Sequence, residues 1–313
     1  MCLSILRYKK SARNDWERRK MGIGFEPLKE EIGARVIGTD LTKPLTGDEV
    51  EAISAGIDKH AVLLFQGQHI TDEQQRAFTL NFGEIEEIRG GHVAKPEDSR
   101  LPDGIIDVSN IGKDGKPLAR DHRTHLFNIG NMLWHSDSSF RAIPAAYSIL
   151  SARVVNPSGG NTEFANMRAA YDTLDAATKA EIDEYICEHS LLNSRELLGF
   201  GNFSAEERAM FAPVRQRLVR AHPRTGRKSL FLSSHAGEIL GLETPLARII
   251  LRDLTEHATQ ERFVYAHKWQ VGDLVMWDNQ QTMHRVRRYD ESQPRDMRRT
   301  TVAGVEMTAE QAA

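Results

Sequence analysis

Residues 134–140 read WHSDSSF, a stretch that carries an imidazole and a carboxylate two positions apart, at His135 and Asp137. On a β-strand, side chains at i and i+2 point to the same face, so one short strand can offer both groups to a single metal ion. One further histidine would complete the two-histidine, one-carboxylate ligand set of non-haem Fe(II) oxygenases, which leaves coordination positions open. By itself the tripeptide is explained equally well by a hydrogen-bonded surface pair. Residues elsewhere in the chain are needed to distinguish this explanation from a metal site.

The candidate for the third ligand is His284, which opens a predicted strand near the C-terminus. A predicted strand at 273–277 and a turn at 278–279 precede it. A closed barrel can bring a late strand against an early one, whereas a local motif cannot. Taken alone, His284 is better explained as an ordinary interstrand histidine.

Two arginines near the C-terminus, Arg295 and Arg299, predict carboxylate binding. If this segment is a strand, the two share one face and Arg298 points away. Burying two guanidinium groups is costly without anionic partners, and arginine matches a carboxylate through a bidentate fork. The pair therefore suggests two carboxylate-bearing molecules, and the alternative is a solvated basic edge strand. Thr162, after two glycines, adds a hydroxyl donor for an anionic oxygen.

The composition sets broader limits. The chain has 313 residues, 40% of them hydrophobic, and a net charge of −3, so we expect a globular protein without affinity for nucleic acid or membranes. Two cysteines, Cys2 and Cys187, provide no disulfide framework, and a cytoplasmic location is the simplest expectation. Residues 1–20 are predicted to be a disordered basic leader, and residues 21–313 a single domain.

The order of predicted elements indicates the fold class. Helices are predicted from Thr46 to Lys59, after Thr71, over 175–187 and over 244–258, and short strands cluster in the C-terminal half. Thr244 is the predicted N-cap of the last helix, and Asn166 caps a further helical region. This order predicts an α+β protein with a mainly β core, a double-stranded β-helix (jelly roll) with flanking helical insertions.

Six stretches carry a resemblance to a known family. They read GTDL (38–41), VLLFQGQ (62–68), LWHSDSSFR (133–141), GGNTEF (159–164), GDLVMWDN (272–279) and RDMRRTT (295–301). Together they resemble the Fe(II)- and 2-oxoglutarate-dependent dioxygenases of the taurine dioxygenase family, over about residues 23–306. Within that family the similarity is greatest to the branch of 2,4-dichlorophenoxyacetate dioxygenases. One departure is Gln280, where many relatives carry arginine.

The resemblance implies a role for each candidate residue. The implied residues are His135, Asp137 and His284 for Fe(II), Thr162 and Arg295 for the distal carboxylate of 2-oxoglutarate, and Arg299, Asn131 and His92 for the substrate. It also implies O₂ as co-substrate, with ascorbate as an assisting reductant, and assembly as a homo-oligomer.

The expected reaction is hydroxylation of an aryloxyalkanoate such as 2,4-dichlorophenoxyacetate next to the ether oxygen, giving a phenol and glyoxylate with succinate and CO₂. Arg299 fits other anions equally well, so a sulfonate, a sulfate ester or a cinnamate-like acid remains an alternative substrate. A third alternative is a barrel that binds a metal and a small acid without turnover. The complete ligand set argues against it, because pure binding needs no open coordination position.

Overall fold

The structure, a computed structural model, describes residues 22–87 and 100–311 and shows an α+β fold with a core of β-sheet. The strands are β1 (Gly24–Pro27), β2 (Ala34–Ile37), β3 (Val62–Phe65), β4 (Ile106–Asp107), β5 (Tyr147–Val154), β6 (Thr162–Asn166), β7 (Ile186–His189), β8 (Val214–Arg217), β9 (Val219–Ala221), β10 (Lys228–Leu230), β11 (Ala236–Ile239), β12 (Val264–His267), β13 (Leu274–Asp278), β14 (Thr282–Val286) and β15 (Asp296–Val302). The helices are α1 (Gly47–His60), α2 (Asp72–Leu80), α3 (Arg123–Asn128), α4 (Met167–Asp172), α5 (Ala176–Ile182), α6 (Leu191–Glu196), α7 (Ala205–Met210) and α8 (Thr244–Ala258), with 3₁₀ turns at Ile129–Met132 and Glu261–Phe263. In this described part, no helix is long and apolar enough to cross a bilayer.

The largest sheet has the strand order β1-β2-β3-β13-β5-β15-β4 and is antiparallel except between β2 and β3. A second sheet has the order β12-β6-β14, and the two remaining sheets have the orders β11-β7-β8 and β10-β9. Strands from late in the chain therefore lie between strands from early in it. This interleaving brings distant residues to the same place in the fold.

The large sheet is buried on both faces. Phe65 of β3 contacts Phe78 of α2 with ring centroids 5.3 Å apart, on the face that the helices cover. On the opposite face, Trp277 of β13 packs against Phe164 of the second sheet, with ring centroids 5.4 Å apart. Because both faces are covered, β3 reads as the unbroken apolar run VLLF and does not alternate with polar residues.

Several helix boundaries confirm the sequence predictions. α1 begins after a capping box in which Thr46 and Glu49 exchange hydrogen bonds. α2 begins after an equivalent capping box in which Thr71 is the N-cap residue, and Asn166 caps α4. The predicted cap of α8 is wrong by one residue, because Thr244 is its first residue and the N-cap is Glu243.

Two further predictions are wrong in part. The helix predicted over 175–187 ends at Ile182, and Cys187 belongs to β7, where it pairs with Gln216 on one side and Ile239 on the other. Pairing with two neighbouring strands has overridden the local helical pattern. The alternative of a basic edge strand is also wrong, because β15 lies between β5 and β4.

Candidate metal centre and active site

His135, Asp137 and His284 come together as a buried cluster. Their candidate ligand atoms all lie within 4.8 Å of one another. Nε2 of His135 is 3.9 Å from Asp137 Oδ1, and Nε2 of His284 is 3.7 Å from Asp137 Oδ2. The imidazole rings have centroids 4.2 Å apart. The central spatial expectation from the sequence, that His284 joins the His-x-Asp pair, agrees with this placement.

The local backbone differs from the predicted strand. His135 makes one isolated antiparallel bridge to His284, in which the two backbones exchange hydrogen bonds of 2.8 and 3.0 Å. The chain then turns, and Ser138 adopts the left-handed conformation at φ 54°, which is uncommon for a residue other than glycine. Ser138 Oγ donates to Glu86 at 2.7 Å and so holds this turn against the segment that follows α2. A single bridge and a turn, not a strand, place the two ligands.

Burial sets the protonation of the cluster. It lowers the pKa of both His135 and His284, so the imidazoles are neutral near pH 7 and keep a lone pair for a metal. Burial alone would raise the pKa of Asp137. The charge of Arg299 and a hydrogen bond from Ser148 oppose this effect and keep that pKa well below its ordinary value. The donor set is therefore two neutral nitrogens and one carboxylate.

This donor set fits a divalent metal ion. Nδ1 of His135 lies 2.8 Å from the carbonyl oxygen of Leu133, so the Nδ1–H donates there and Nε2 is left as the ligand atom. Two atoms that each lie about 2.0–2.2 Å from one ion are at most about 4.4 Å apart, and the two histidine–aspartate distances satisfy this limit. His284 Nδ1 is buried without a hydrogen-bond partner among the described residues. Nε2 of His284, 3.7 Å from Asp137 Oδ2, is the nitrogen that faces the cluster.

A chain of hydrogen bonds holds Asp137 from the large sheet. Ser148 Oγ, on β5, donates to Asp137 Oδ2 at 2.7 Å, and the amide of Asn279 donates to Ser148 Oγ at 2.9 Å. Asn279 Oδ1 in turn accepts from the indole N–H of Trp277 at 2.9 Å and from the backbone N–H of Asp137 at 3.3 Å. All of these atoms are buried. The carboxylate is therefore oriented by groups from two different segments, β5 and the end of β13.

Arg295 and Thr162 lie in the same cavity as the two histidines. Arg295 is 4% exposed, donates to the carbonyl oxygen of Val108 at 2.9 Å, and lies over the ring of Tyr289. In the described chain, no ion pair includes it. Burial lowers the pKa of its guanidinium, but the ordinary value is high enough that the charge remains at neutral pH. A buried arginine without a carboxylate partner is suited to an anionic ligand.

The predicted substrate residues have different surroundings. Arg299 and Asn131 both line the cavity, and the guanidinium of Arg299 donates to Asp137 Oδ1. Arg298 points away and pairs with Asp72 and Asp296, as expected. His92 lies outside the described residues.

Sequence reasoning missed three residues of this site. Ser148 carried no signal, because a serine in a mainly apolar strand looks like core. Asn279 belongs to the WDN stretch that carried the resemblance but had no assigned role. Trp269, interpreted as a core aromatic, donates its indole N–H to Thr162 Oγ1 at 2.9 Å.

Comparisons with known proteins agree with this site. A family described as "Taurine catabolism dioxygenase TauD, TfdA family" matches residues 24–301. The alpha-ketoglutarate-dependent 2,4-dichlorophenoxyacetate dioxygenase of Cupriavidus pinatubonensis is 45% identical over 90% of this chain and 98% of its own length. The (S)-phenoxypropionate/alpha-ketoglutarate-dioxygenase of Delftia acidovorans is 36% identical over 89% of this chain and 94% of its own length.

Among solved structures, AAD-2 in complex with Mn(II) and N-oxalylglycine superimposes with a TM-score of 0.91. It is 64% identical, and the match covers 92% of this chain and all of that one. The buried His-Asp-His cluster, the family match and these relatives all indicate the same family. The chain belongs to the TauD/TfdA family of dioxygenases.

Proposed function

We propose that this protein is an Fe(II)- and 2-oxoglutarate-dependent dioxygenase that hydroxylates an aryloxyalkanoate at the carbon next to the ether oxygen. The product of that step is a hemiacetal, which collapses to a phenol and, for an aryloxyacetate, glyoxylate. Succinate and CO₂ are the co-products. The observation that carries the proposal is the convergence of His135, His284, Thr162, Arg295 and Arg299 on one cavity.

His135, Asp137 and His284 would hold the iron, and the bound iron with O₂ and 2-oxoglutarate supplies the oxidising power for C–H hydroxylation. Arg295 would bind the distal carboxylate of 2-oxoglutarate, and Thr162 would donate a hydrogen bond to it. Arg299 would hold the acidic group of the substrate.

Apolar walls favour an aromatic acid as substrate. Val108, Leu118, Ile129 and Met132 line the cavity together with its arginines. The relatives named for 2,4-dichlorophenoxyacetate and (S)-phenoxypropionate also support an aryloxyalkanoate. A more distant relative, the sulfate ester dioxygenase of Pseudomonas putida, is 30% identical and keeps a sulfate ester as the second candidate substrate.

The finer architecture belongs to the same proposal. We infer that the large sheet and the β12-β6-β14 sheet form a double-stranded β-helix, because Phe164 and Trp277 pack between them. We also propose one catalytic domain over 21–313, a homo-oligomeric state and a cytoplasmic location. The single family match over residues 24–301 supports the first of these. The predicted leader at 1–20 lies outside the described residues.

The test is succinate release from 2-oxoglutarate with Fe(II) and ascorbate, across a panel of acids. We expect an aryloxyacetate to stimulate succinate release strongly and to yield a phenol. Stimulation only by taurine or by sulfate esters would move the substrate to the alternative class. If no acid stimulates release, the protein is the binding barrel without turnover.

A further inference from the structure

We propose that Trp269 is a positioning residue that sets the hydrogen-bond polarity of Thr162, so that the threonine hydroxyl donates into the cavity. The inference rests on the proposed role of Thr162 toward 2-oxoglutarate. Trp269 is not among the residues that line the cavity of His135 and His284, and the inference gives it a share in the affinity for that co-substrate.

The first step is the hydrogen bond between the two side chains. The indole N–H of Trp269 donates to Thr162 Oγ1 at 2.9 Å, and the two residues are 8% and 3% exposed. An indole N–H can only donate, whereas a hydroxyl has one hydrogen and two lone pairs. Trp269 therefore occupies a lone pair of the hydroxyl and leaves its hydrogen to be directed elsewhere.

The second step is the destination of that hydrogen. Among the described residues, no acceptor takes the Thr162 hydroxyl hydrogen. Thr162 lines the cavity together with Arg295, the buried cation without a carboxylate partner. A carboxylate oxygen held by Arg295 is an acceptor that both groups can serve. A partner able to accept, such as glutamine, would let the hydroxyl donate away from the cavity.

The third step is the rigidity of Trp269. Its ring meets His267 edge to face, with centroids 4.6 Å apart and planes at 84°. His267 lies between two fixed groups, since its Nε2 is 3.1 Å from Asp273 Oδ2 and its Nδ1 is 3.0 Å from the hydroxyl of Tyr265. The indole is therefore supported by a buried polar network of its own. Its N–H direction is fixed before any ligand binds, which lowers the entropic cost of ordering Thr162.

The experiment measures binding of 2-oxoglutarate to the Mn(II)-loaded protein by calorimetry without O₂. Thr162→Val removes the donor, Trp269→Phe removes the group that orients it, and the double variant combines them. We expect each single variant to weaken binding about two- to tenfold, the range for one buried hydrogen bond. In the Thr162→Val background, Trp269→Phe should add nothing. Thr162→Ser keeps the hydroxyl and should bind nearly as the native chain does.

A kinetic readout separates positioning from general damage. In Trp269→Phe, KM for 2-oxoglutarate should rise, while kcat and KM for the aryloxy acid stay within about twofold. Thr255→Val is the control, because it removes a partly buried hydroxyl whose hydrogen bond, 2.7 Å to Leu251 O, lies within α8. It should leave the affinity for 2-oxoglutarate unchanged. If Trp269→Phe does not fold, a benzothienyl analogue at position 269 keeps the ring shape and removes only the N–H.

Different results would contradict the role of Thr162 and the role of Trp269. If Thr162→Val binds 2-oxoglutarate as well as the native chain, the proposed role of Thr162 is wrong. If Thr162→Val weakens binding but loss of the indole N–H does not, the inference about Trp269 is wrong. An additional loss on removing the N–H in the Thr162→Val background would mean that Trp269 acts through packing, which also overturns the inference.

Discussion

Arg295 and Arg299 are four residues apart and line one cavity, but their surroundings give them different tasks. Arg295 has no acidic partner in the described part of the chain, whereas Arg299 donates to Asp137. Nε of Arg299 is buried without a partner, so this guanidinium still has a donor for another ligand. At the scale of single residues, Arg299 is therefore both a neighbour of the metal ligands and the candidate anchor for the substrate.

Replacing Arg299 by alanine should raise KM for the aryloxy acid about 10- to 100-fold, the cost of one charge-assisted hydrogen bond. KM for 2-oxoglutarate should change much less, because Arg295 is intact. Steady-state kinetics with each reactant varied in turn measures the split. Arg298→Ala is the control, since that side chain pairs with Asp72 and Asp296 away from the cavity. A parallel rise in both KM values for Arg299→Ala would contradict the assignment.

At the scale of elements, the metal ligands depend on strands that carry none of them. Ser148 on β5 and Asn279 after β13 orient Asp137, although both belong to the large sheet and its connections. Partners of this kind typically change metal affinity by 10- to 100-fold when they are removed. The sheet therefore contributes to the site through hydrogen bonds as well as through packing.

Ser148→Ala should weaken Mn(II) binding about tenfold, because the carboxylate of Asp137 loses one of the donors that orient it. Equilibrium titration of the metal-free protein measures the dissociation constant. Ser151→Ala is matched to it, since Ser151 is also a buried serine on β5 but donates to Gln75 at 2.7 Å. The control should lose stability and keep its metal affinity. Equal metal affinity in the two variants would remove the role of Ser148.

The pairing of β4 with β15 depends on an ionic cluster around Asp296. Arg100 donates to both carboxylate oxygens of Asp296 at 3.0 Å, and Arg298 pairs with the same group at 3.1 Å. Burial alone would raise the pKa of Asp296, but these hydrogen bonds outweigh it and lower the pKa from 3.8 to about 2. The folded state therefore favours the ionised form, and the cluster adds stability above about pH 4.

That stabilisation should disappear as the pH falls from about 4 towards 2, because a lowered pKa in the folded state is lost by protonation in that window. Asp296→Asn should cost about 1–3 kcal/mol of unfolding free energy at pH 7. Denaturant titrations of both proteins at several pH values give the comparison. The difference should shrink steadily below pH 4. A difference that is constant with pH would show that the charge of Asp296 is not what stabilises the pair.

At the scale of the whole molecule, the site exists only when the two sheets have docked. His284 comes from β14 of the second sheet, and the groups that orient Asp137 come from the large sheet. An unfolded chain cannot present this ligand set, so metal binding and folding are coupled. The native state should gain stability from every ligand that binds it selectively.

Mn(II) with 2-oxoglutarate at about a hundredfold excess over the dissociation constant should add about 2.7 kcal/mol of stability. For a domain of this size, Tm should rise on the order of 5 °C, and a chelator should reverse the rise. Differential scanning fluorimetry measures it. His135→Ala should show little of this shift, while His257→Ala, on α8 outside the cluster, should keep it. A full shift in the His135 variant would contradict the metal site.

Much of this protein was determined by local sequence. Capping residues such as Thr46 and Thr71 fixed helix starts, because a side chain that satisfies free backbone N–H groups acts over only three residues. The type and spacing of His135, Asp137 and Arg295 predicted the chemistry, since metal and carboxylate binding require those side chains.

Only the tertiary structure decided the rest. It made residues around Cys187 a strand, joined His284 to His135 by one bridge, and placed Ser148, Asn279 and Trp269 behind the ligands. These features are contacts between segments far apart in the chain. Their energies depend on which strands become neighbours, and no local pattern of residues records that choice.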